Sequence, residues 1–381
     1  MVQRYPVIVV GAGPAGATAA RLLAEADIPV LLLERARLPR VKPCGGALTH
    51  RALPLLPEDA PSQLKSHPRQ WSFRGRHGEP VTLTRATPYC HIVERSLFDA
   101  WLVDHASRRG ALVHDGEAVT QVQVYDHHTV LTTTHDQYLA DIVIAADGAH
   151  GIIGKAAGLP RATPGAAMEA EVAVDERLWD RYRERVEIHV GQYPWGYAWV
   201  IPRAGILNIG VGSFRPHSFP LKRRFFQFAE MLLGHQNVTP LAHPLPHRWR
   251  FEAPLRKRIL FTGDAAGLMD AFSAEGIYPA LKSGQMAAEA ATNALTGREP
   301  LETYGTRIYQ EFWPTLKSAS KMALLFYPLA GFWSDIFGTN ATLLSDYLDV
   351  AMGNRPYATL TRHAERQLLH HPSLLLRRPR A

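Results

Sequence analysis

Residues Gly11-Ala12-Gly13-Pro14-Ala15-Gly16 follow a short apolar run, Val7-Ile8-Val9-Val10, and lead into an alanine- and leucine-rich stretch over 15–26. The run predicts a buried strand and the stretch a helix, and 29–33 predicts a second buried strand. Strand, helix and strand in this order require a parallel sheet with a right-handed crossover. In the G-x-G-x-x-G spacing, Gly11 permits the tight turn. Gly13 lets the backbone approach a pyrophosphate, whose charge meets the helix N-terminus, and Gly16 allows close helix–strand packing. Pro14 and Ala15 belong to the same cradle. Glu34 ends the second strand 18 residues after Gly16, where a carboxylate accepts hydrogen bonds from ribose hydroxyls, and Arg35 follows it. Alone, this loop does not separate FAD from NAD.

The 381 residues exceed what a typical single core needs and predict two domains or one elaborate one. Short runs over 71–93, rich in Thr and aromatics and broken by Gly and Pro, read as antiparallel strands. Residues 97–109 are helical, and 119–124, 129–134 and 142–146 are strands. Residues 163–250 are strand-rich with one helix near 222–233, and the chain is mostly helical from Gly276 onward. An antiparallel, substrate-facing part is thus inserted between pieces of a nucleotide-binding part. The expected division is 1–66, 91–160 and 251–298 for the nucleotide, 67–90 and 161–250 for the substrate, and 299–381 as a helical C-terminal region.

Two cysteines, Cys44 and Cys90, exclude a disulfide framework and a zinc cluster, so no metal is expected and a reducing, cytoplasmic compartment is the simpler reading. No signal peptide is expected, because the apolar N-terminal run is short and ends in a glycine loop. No uninterrupted apolar stretch of 18 residues predicts a membrane span. The net charge of +7 is partly terminal: Arg362, Arg366, Arg377, Arg378 and Arg380 face a single acid, Glu365. Such a tail is either solvated or meets an anionic partner; no nucleic acid is expected as that partner. The aromatic segments 324–329 and 332–337 read as a helical cap on the core, with a peripheral membrane contact as the alternative.

Two later segments distinguish the dinucleotide. Residues 141–148 (D-I-V-I-A-A-D-G) close a buried strand on Asp147-Gly148, and 258–264 (R-I-L-F-T-G-D) close another on Gly263-Asp264. With the first loop they resemble the three ordered motifs of FAD-binding, hydroxylase-type flavoproteins. That resemblance covers roughly the first 300 residues. It implies an α/β fold: a glutathione-reductase-like Rossmann FAD domain, an interleaved antiparallel-sheet substrate domain and a helical C-terminus. It implies that Asp147 lies near the pyrophosphate, that Asp264 bonds the ribityl chain and that Arg95 stands near the cofactor. The helix after Gly276 and Ile277 would aim its positive end at the flavin pyrimidine ring, with Ser273 as its simple cap in the structural alternative.

Three further stretches resemble the geranylgeranyl reductase family: Lys42-Pro43-Cys44-Gly45-Gly46-Ala47, Gly196-Tyr197-Ala198-Trp199-Val200-Ile201-Pro202-Arg203, and Ala274-Glu275-Gly276-Ile277-Tyr278 followed by Lys282-Ser283-Gly284. Ile201 stands where the family has phenylalanine. The resemblance implies saturation of C=C bonds in a geranylgeranyl or polyprenyl group on a lipid, pigment or diphosphate. The implied cofactor is FAD, with NAD(P)H or reduced ferredoxin as electron donor. Cys44 and Gly45 are placed near the flavin, and Tyr197 and Trp199, two apart on a strand, share one face toward a hydrophobic isoprenoid. Cys44, or a water it orders, is the expected proton donor; the bland alternatives are a small apolar loop residue and an aromatic core stripe. Rival readings on the same fold are an FAD-dependent monooxygenase or halogenase, and a redox-neutral, lycopene-cyclase-like enzyme. A tunnel lysine expected of halogenases is absent from 66–84. A third class keeps the flavin as a structural element with a recruiting tail.

Overall fold

The computed structural model of the chain describes residues 2–77, 79–215, 220–337 and 340–370. Strand β1 (Gln3–Val10) is buried from Val7 to Val10. It lies inside an eight-stranded sheet, parallel to β2 (Val30–Glu34) on one side and to Gln137–Ala145 on the other. Helix α1 (Pro14–Glu25) makes the crossover, with Pro14 at its first turn and its Ala and Leu side chains packed inward. Strand Ile259–Phe261 continues the parallel set beside Gln137–Ala145, and Leu112–Asp115 extends it beside β2. Because these strands run in one direction, their carboxyl ends fall on one edge of the sheet. The order reverses at β1, which places a crevice at that edge. The Gly11 loop, Glu34, Asp147 and Gly263-Asp264 all open onto it.

A second, seven-stranded sheet has the order Leu241–His247, Thr163–Ala173, Ile206–Ser213, Gly196–Arg203, Arg185–His189, Gln70–Arg74, Val81–Thr84. Its pairings are antiparallel except that of Arg185–His189 with Gln70–Arg74. One face buries Ala170, Ala198, Val200, Leu207, Ile209 and Val211 against Phe225 and Phe228 of the helix Leu221–Leu233. The opposite face carries Tyr197, Trp199 and Ile201, since side chains alternate along a strand.

Three details depart from the sequence reading. His91–Val93 leaves the antiparallel set and joins Ala47–Leu48 and Leu64–Ser66 in a small sheet of its own, where Val93 N donates to Gly46 O at 2.9 Å. A helix not anticipated, Glu176–Tyr182, is capped by Asp175, whose carboxylate accepts from Leu178 N at 2.8 Å. Ser273 does not cap the helix Ile277–Leu295: Gly276 stands at the cap position, and Ser273 Oγ instead accepts from Glu275 N.

The C-terminal helices Thr303–Phe326, Ala330–Phe337, Ala341–Ala351 and Tyr357–His370 bury Phe326, Tyr327, Trp333 and Phe337, so the aromatic segments form a cap. Tyr327 Oη donates to Phe272 O at 2.6 Å and Tyr357 Oη to Asp270 Oδ2 at 2.7 Å, which ties the cap to the loop before Gly276. Among the described residues no helix is long and apolar enough to cross a membrane. Arg362 and Arg366 are exposed, and Arg377, Arg378 and Arg380 lie outside the described residues.

Candidate functional site

The crevice holds a cavity of about 520 Å³ lined by Gly11, Gly13, Pro14, Ala15, Glu34, Arg35, Cys44, Arg95, Asp147, Gly263, Asp264, Gly276 and Ile277, among others. The loop glycines divide the work. Gly11 has φ +101°, and a Cβ there would lie 2.3 Å from Ala146 O, so two strand ends approach too closely for any side chain. A Cβ on Gly16 would fall 1.9 Å from Gly11 O, and Gly16 packs helix on loop rather than lining the cavity. Gly13 differs: its Cβ would meet nothing nearer than Arg40 Nη2 at 3.9 Å. That open space, beneath a helix start with no side-chain cap, leaves free amides and room for an anionic group.

Glu34 is 5% exposed and tied to the turn. Its Oε2 accepts from Ala12 N at 2.9 Å and its Oε1 from Ala36 N at 3.1 Å, which fixes the carboxylate and leaves lone pairs for a further donor. Arg40, not singled out by the sequence, reaches Glu34 at 3.4 Å and Asp99 at 3.2 Å. Asp99 also takes Arg95 in a two-pronged bond of 2.8 and 2.9 Å. Burial alone would weaken the Arg95 charge, but Asp99 and Cys44 reverse this and hold it firmly cationic. Asp99 thus anchors two guanidinium groups near one wall.

Asp147 accepts from Ile153 N at 3.1 Å through Oδ2, while its buried Oδ1 has no partner. Burial pushes its carboxyl up to about 6. Loss of water around Asp264 likewise raises its carboxyl, opposed by Lys42 and Arg95. An orphaned acceptor, the Gly13 cradle and the uncapped start of Ile277–Leu295 fit a dinucleotide with a hydrogen-bonding sugar chain and an electron-rich ring. His243 also lines the cavity with a buried, unpartnered Nδ1; burial, Lys42 and Arg95 pull it down to about 3, so the ring is neutral. Nothing local in the sequence marks His243, because only sheet pairing brings Leu241–His247 to this wall.

Cys44 is half-buried on a loop held through its carbonyl and its sulfur. Its carbonyl accepts from Arg203 Nη2 at 2.8 Å, and its Sγ accepts from Gly46 N at 3.4 Å. Gly45 does not line the cavity; it lies on the sheet, where a Cβ would come 2.6 Å from Ile201 Cδ1. Tyr197 and Trp199 share one face, with ring centroids 5.9 Å apart, and stand outside the cavity lining. Tyr197 Oη donates to Ser273 O at 3.1 Å and Trp199 Nε1 to Asn208 Oδ1 at 2.7 Å. The Cys44 loop therefore separates the cavity from an aromatic wall and borders both.

Residues 4–193 match the FAD binding domain family. The chain is 30% identical to the chloroplastic geranylgeranyl diphosphate reductase of Arabidopsis thaliana, over 85% of this chain and 75% of that one. The chain belongs to the geranylgeranyl reductase family of FAD-dependent oxidoreductases. It is equally 30% identical to digeranylgeranylglycerophospholipid reductase 1 of Methanopyrus kandleri, over 84% and 90% of the two chains. A solved geranylgeranyl bacteriochlorophyll reductase-like protein from Thermoplasma acidophilum superposes with TM-score 0.80 at 22% identity, over 96% of this chain and all of that one. The flavin-dependent brominase Bmp2 superposes with TM-score 0.71 at 18% identity, over 96% and 99%. These two structures share the fold. In this member of the geranylgeranyl reductase family the glycine loop, the cysteine loop and the aromatic strand lie on three different elements, and the cysteine loop borders both the cavity and the aromatic strand.

Proposed function

We propose that the chain saturates C=C bonds of a geranylgeranyl or polyprenyl group carried on a lipid, a pigment or a diphosphate. The observation that carries this reading is the Cys44 loop standing between the dinucleotide cavity and the Tyr197–Trp199 face. FAD, when bound and reduced, supplies the two electrons for the reduction. Gly13 and the start of α1 hold its diphosphate, Glu34 its ribose and Asp264 its ribityl chain. Arg95, Arg35, Asp147, Gly276 and Ile277 complete the cofactor wall. An unactivated alkene is a poor electrophile, so the protein must also deliver a proton and keep water away. Cys44, or a water it orders, holds that proton; Trp199 and Ile201 keep the region behind it dry, at 7% and 8% exposure. Tyr197 and Trp199 offer ring faces to an alkene chain and to a transient positive centre. The proposed electron source is NAD(P)H or reduced ferredoxin.

The test is anaerobic. Photoreduced, FAD-loaded protein is mixed with geranylgeranyl diphosphate or a geranylgeranylated lipid, and flavin reoxidation is followed alongside product mass. Reoxidation with hydrogen added across a double bond is expected; its failure with every prenyl substrate removes the proposal. The fold shared with the brominase keeps a monooxygenase or halogenase as the second reading. That reading requires substrate-stimulated oxygen consumption.

A further inference from the structure

Behind the Cys44 loop runs a buried polar chain that the roles above leave unused. Sheet register sets Glu169 opposite Gly210 and Gly210 opposite Trp199, while Glu171 and Ile201 flank Asn208. These side chains therefore share the face that carries the aromatic wall. Trp199 Nε1 is a donor only, so it fixes the Asn208 amide with Oδ1 toward the indole. Asn208 Nδ2 must then point away, and it donates to Glu169 Oε1 at 3.2 Å. Glu169 is 4% exposed, and its second oxygen, Oε2, has no hydrogen-bond partner. A buried carboxyl with an unmade bond costs stability, and an apolar side chain would fill the same place without that cost.

Its neighbours show what the carboxyl does there. Burial pushes it up to about 7; the Cys44 backbone amide, Asn208 and Arg203 favour its charged form, and Glu171 on its own strand opposes it. Arg203 in turn donates to Cys44 O and pairs with Glu171. On the other flanking strand Leu241 stands opposite Glu169 and His243 opposite Ala167, two residues along on the same face. Lys42 and Arg95 act on His243 from the cavity side.

We propose that Glu169 is a positioning residue of the reduction: through Asn208 it sets the Trp199 indole, and through the Cys44 backbone it sets the thiol loop. One carboxyl group thereby links the aromatic wall to the loop at the cofactor. The proposal rests on the reading of Cys44 and Trp199 as the substrate side of the site. Ionised, Glu169 attracts the Cys44 backbone amide, which favours the charged form; neutral, it holds the loop less firmly. Glu169→Gln imitates the neutral form at every pH.

The experiment is the alkylation rate of Cys44 by iodoacetamide in FAD-loaded protein, taken as the ratio of E169Q to wild type at each pH. The ratio is expected near one at about pH 6 and about three- to tenfold at about pH 8, either side of the midpoint near 7. A ratio that stays constant across this range overturns the proposal. Asn208→Ala removes both the link to Trp199 and the hydrogen bond to Glu169 Oε1. It is expected to slow flavin reoxidation by geranylgeranyl diphosphate about three- to tenfold. Reoxidation at the wild-type rate in N208A would overturn the link through Asn208. Failure of wild type to reoxidise with any prenyl substrate would remove the function proposed above, whereas the alkylation ratio would still decide the role of Glu169.

Discussion

Alanine at Gly210 tests how the aromatic wall is held. A Cβ on Gly210 would lie 2.1, 2.4 and 2.7 Å from three carbons of the Trp199 ring, so the indole must shift. The backbone there is extended strand, so no conformational strain enters. Overpacking of this kind costs about 1–3 kcal/mol, and losing the Trp199–Asn208 bond about 0.5–1.5 kcal/mol more, giving roughly 2–4 kcal/mol in all. Gly212, two residues along on the same face, is the control. Its Cβ would meet Leu245, Trp199 and Ala167 at 3.5–3.7 Å, which is ordinary contact. Alanine there reduces the freedom of the unfolded chain and is neutral or stabilising by about 0.4–1 kcal/mol. Guanidinium unfolding of FAD-saturated protein, followed by circular dichroism, separates the two through their midpoints. Similar midpoints for G210A and G212A would refute the claim that Trp199 lies across Gly210. In G210A, single-turnover flavin reoxidation by a prenyl substrate should slow as well.

Other perturbations read other parts of the site. Gly11→Ala, at φ +101° and 2.3 Å from Ala146 O, should give protein that retains little flavin, read from visible absorbance after purification. Gly13→Ala has room in the protein itself, so it should fold with normal stability yet bind FAD about tenfold or more weakly by titration, a loss of about 1.4 kcal/mol. Of the two cysteines, the half-buried Cys44 should be alkylated in native protein. Cys90, fully buried with its thiol pushed up to about 12, should react only after unfolding, as peptide mass spectrometry will show. Asp147 has a folded-state pKa of about 6, above its unfolded value near 3.8, so its contribution is fully present below 3.8 and is lost as pH rises through 6. Relative to Asp147→Asn, flavin-free wild type should therefore lose on the order of 2–3 kcal/mol across that window, measured by denaturant midpoints.

The parts legible in the sequence are those whose chemistry is local. The turn at Gly11 needs a residue without a side chain, and α1 needs a start that leaves its amides free. Glu34 needs only to end the next strand, so all three show themselves within about 30 residues. Tyr197 and Trp199 could be placed on one face because strand geometry alternates. A serine before a helix looks like a cap, and only the loop's own hydrogen bonds show that Ser273 serves Glu275 instead.

Residues far apart in the chain, and meaningful only as neighbours, belong to the tertiary structure. Asp99 reads as a helix residue until Arg40 and Arg95 are seen on it. Gly210 reads as a weak strand residue until Trp199 lies over it, and His243 and Glu169 become wall groups only through pairing with strands up to about 80 residues away. Local chemistry decided the cofactor cradle, because backbone sterics act on adjacent residues. Sheet register decided the wall behind Cys44, because which side chains face one another depends on alignment between distant strands, and a slip of one residue would turn each of them to the opposite face.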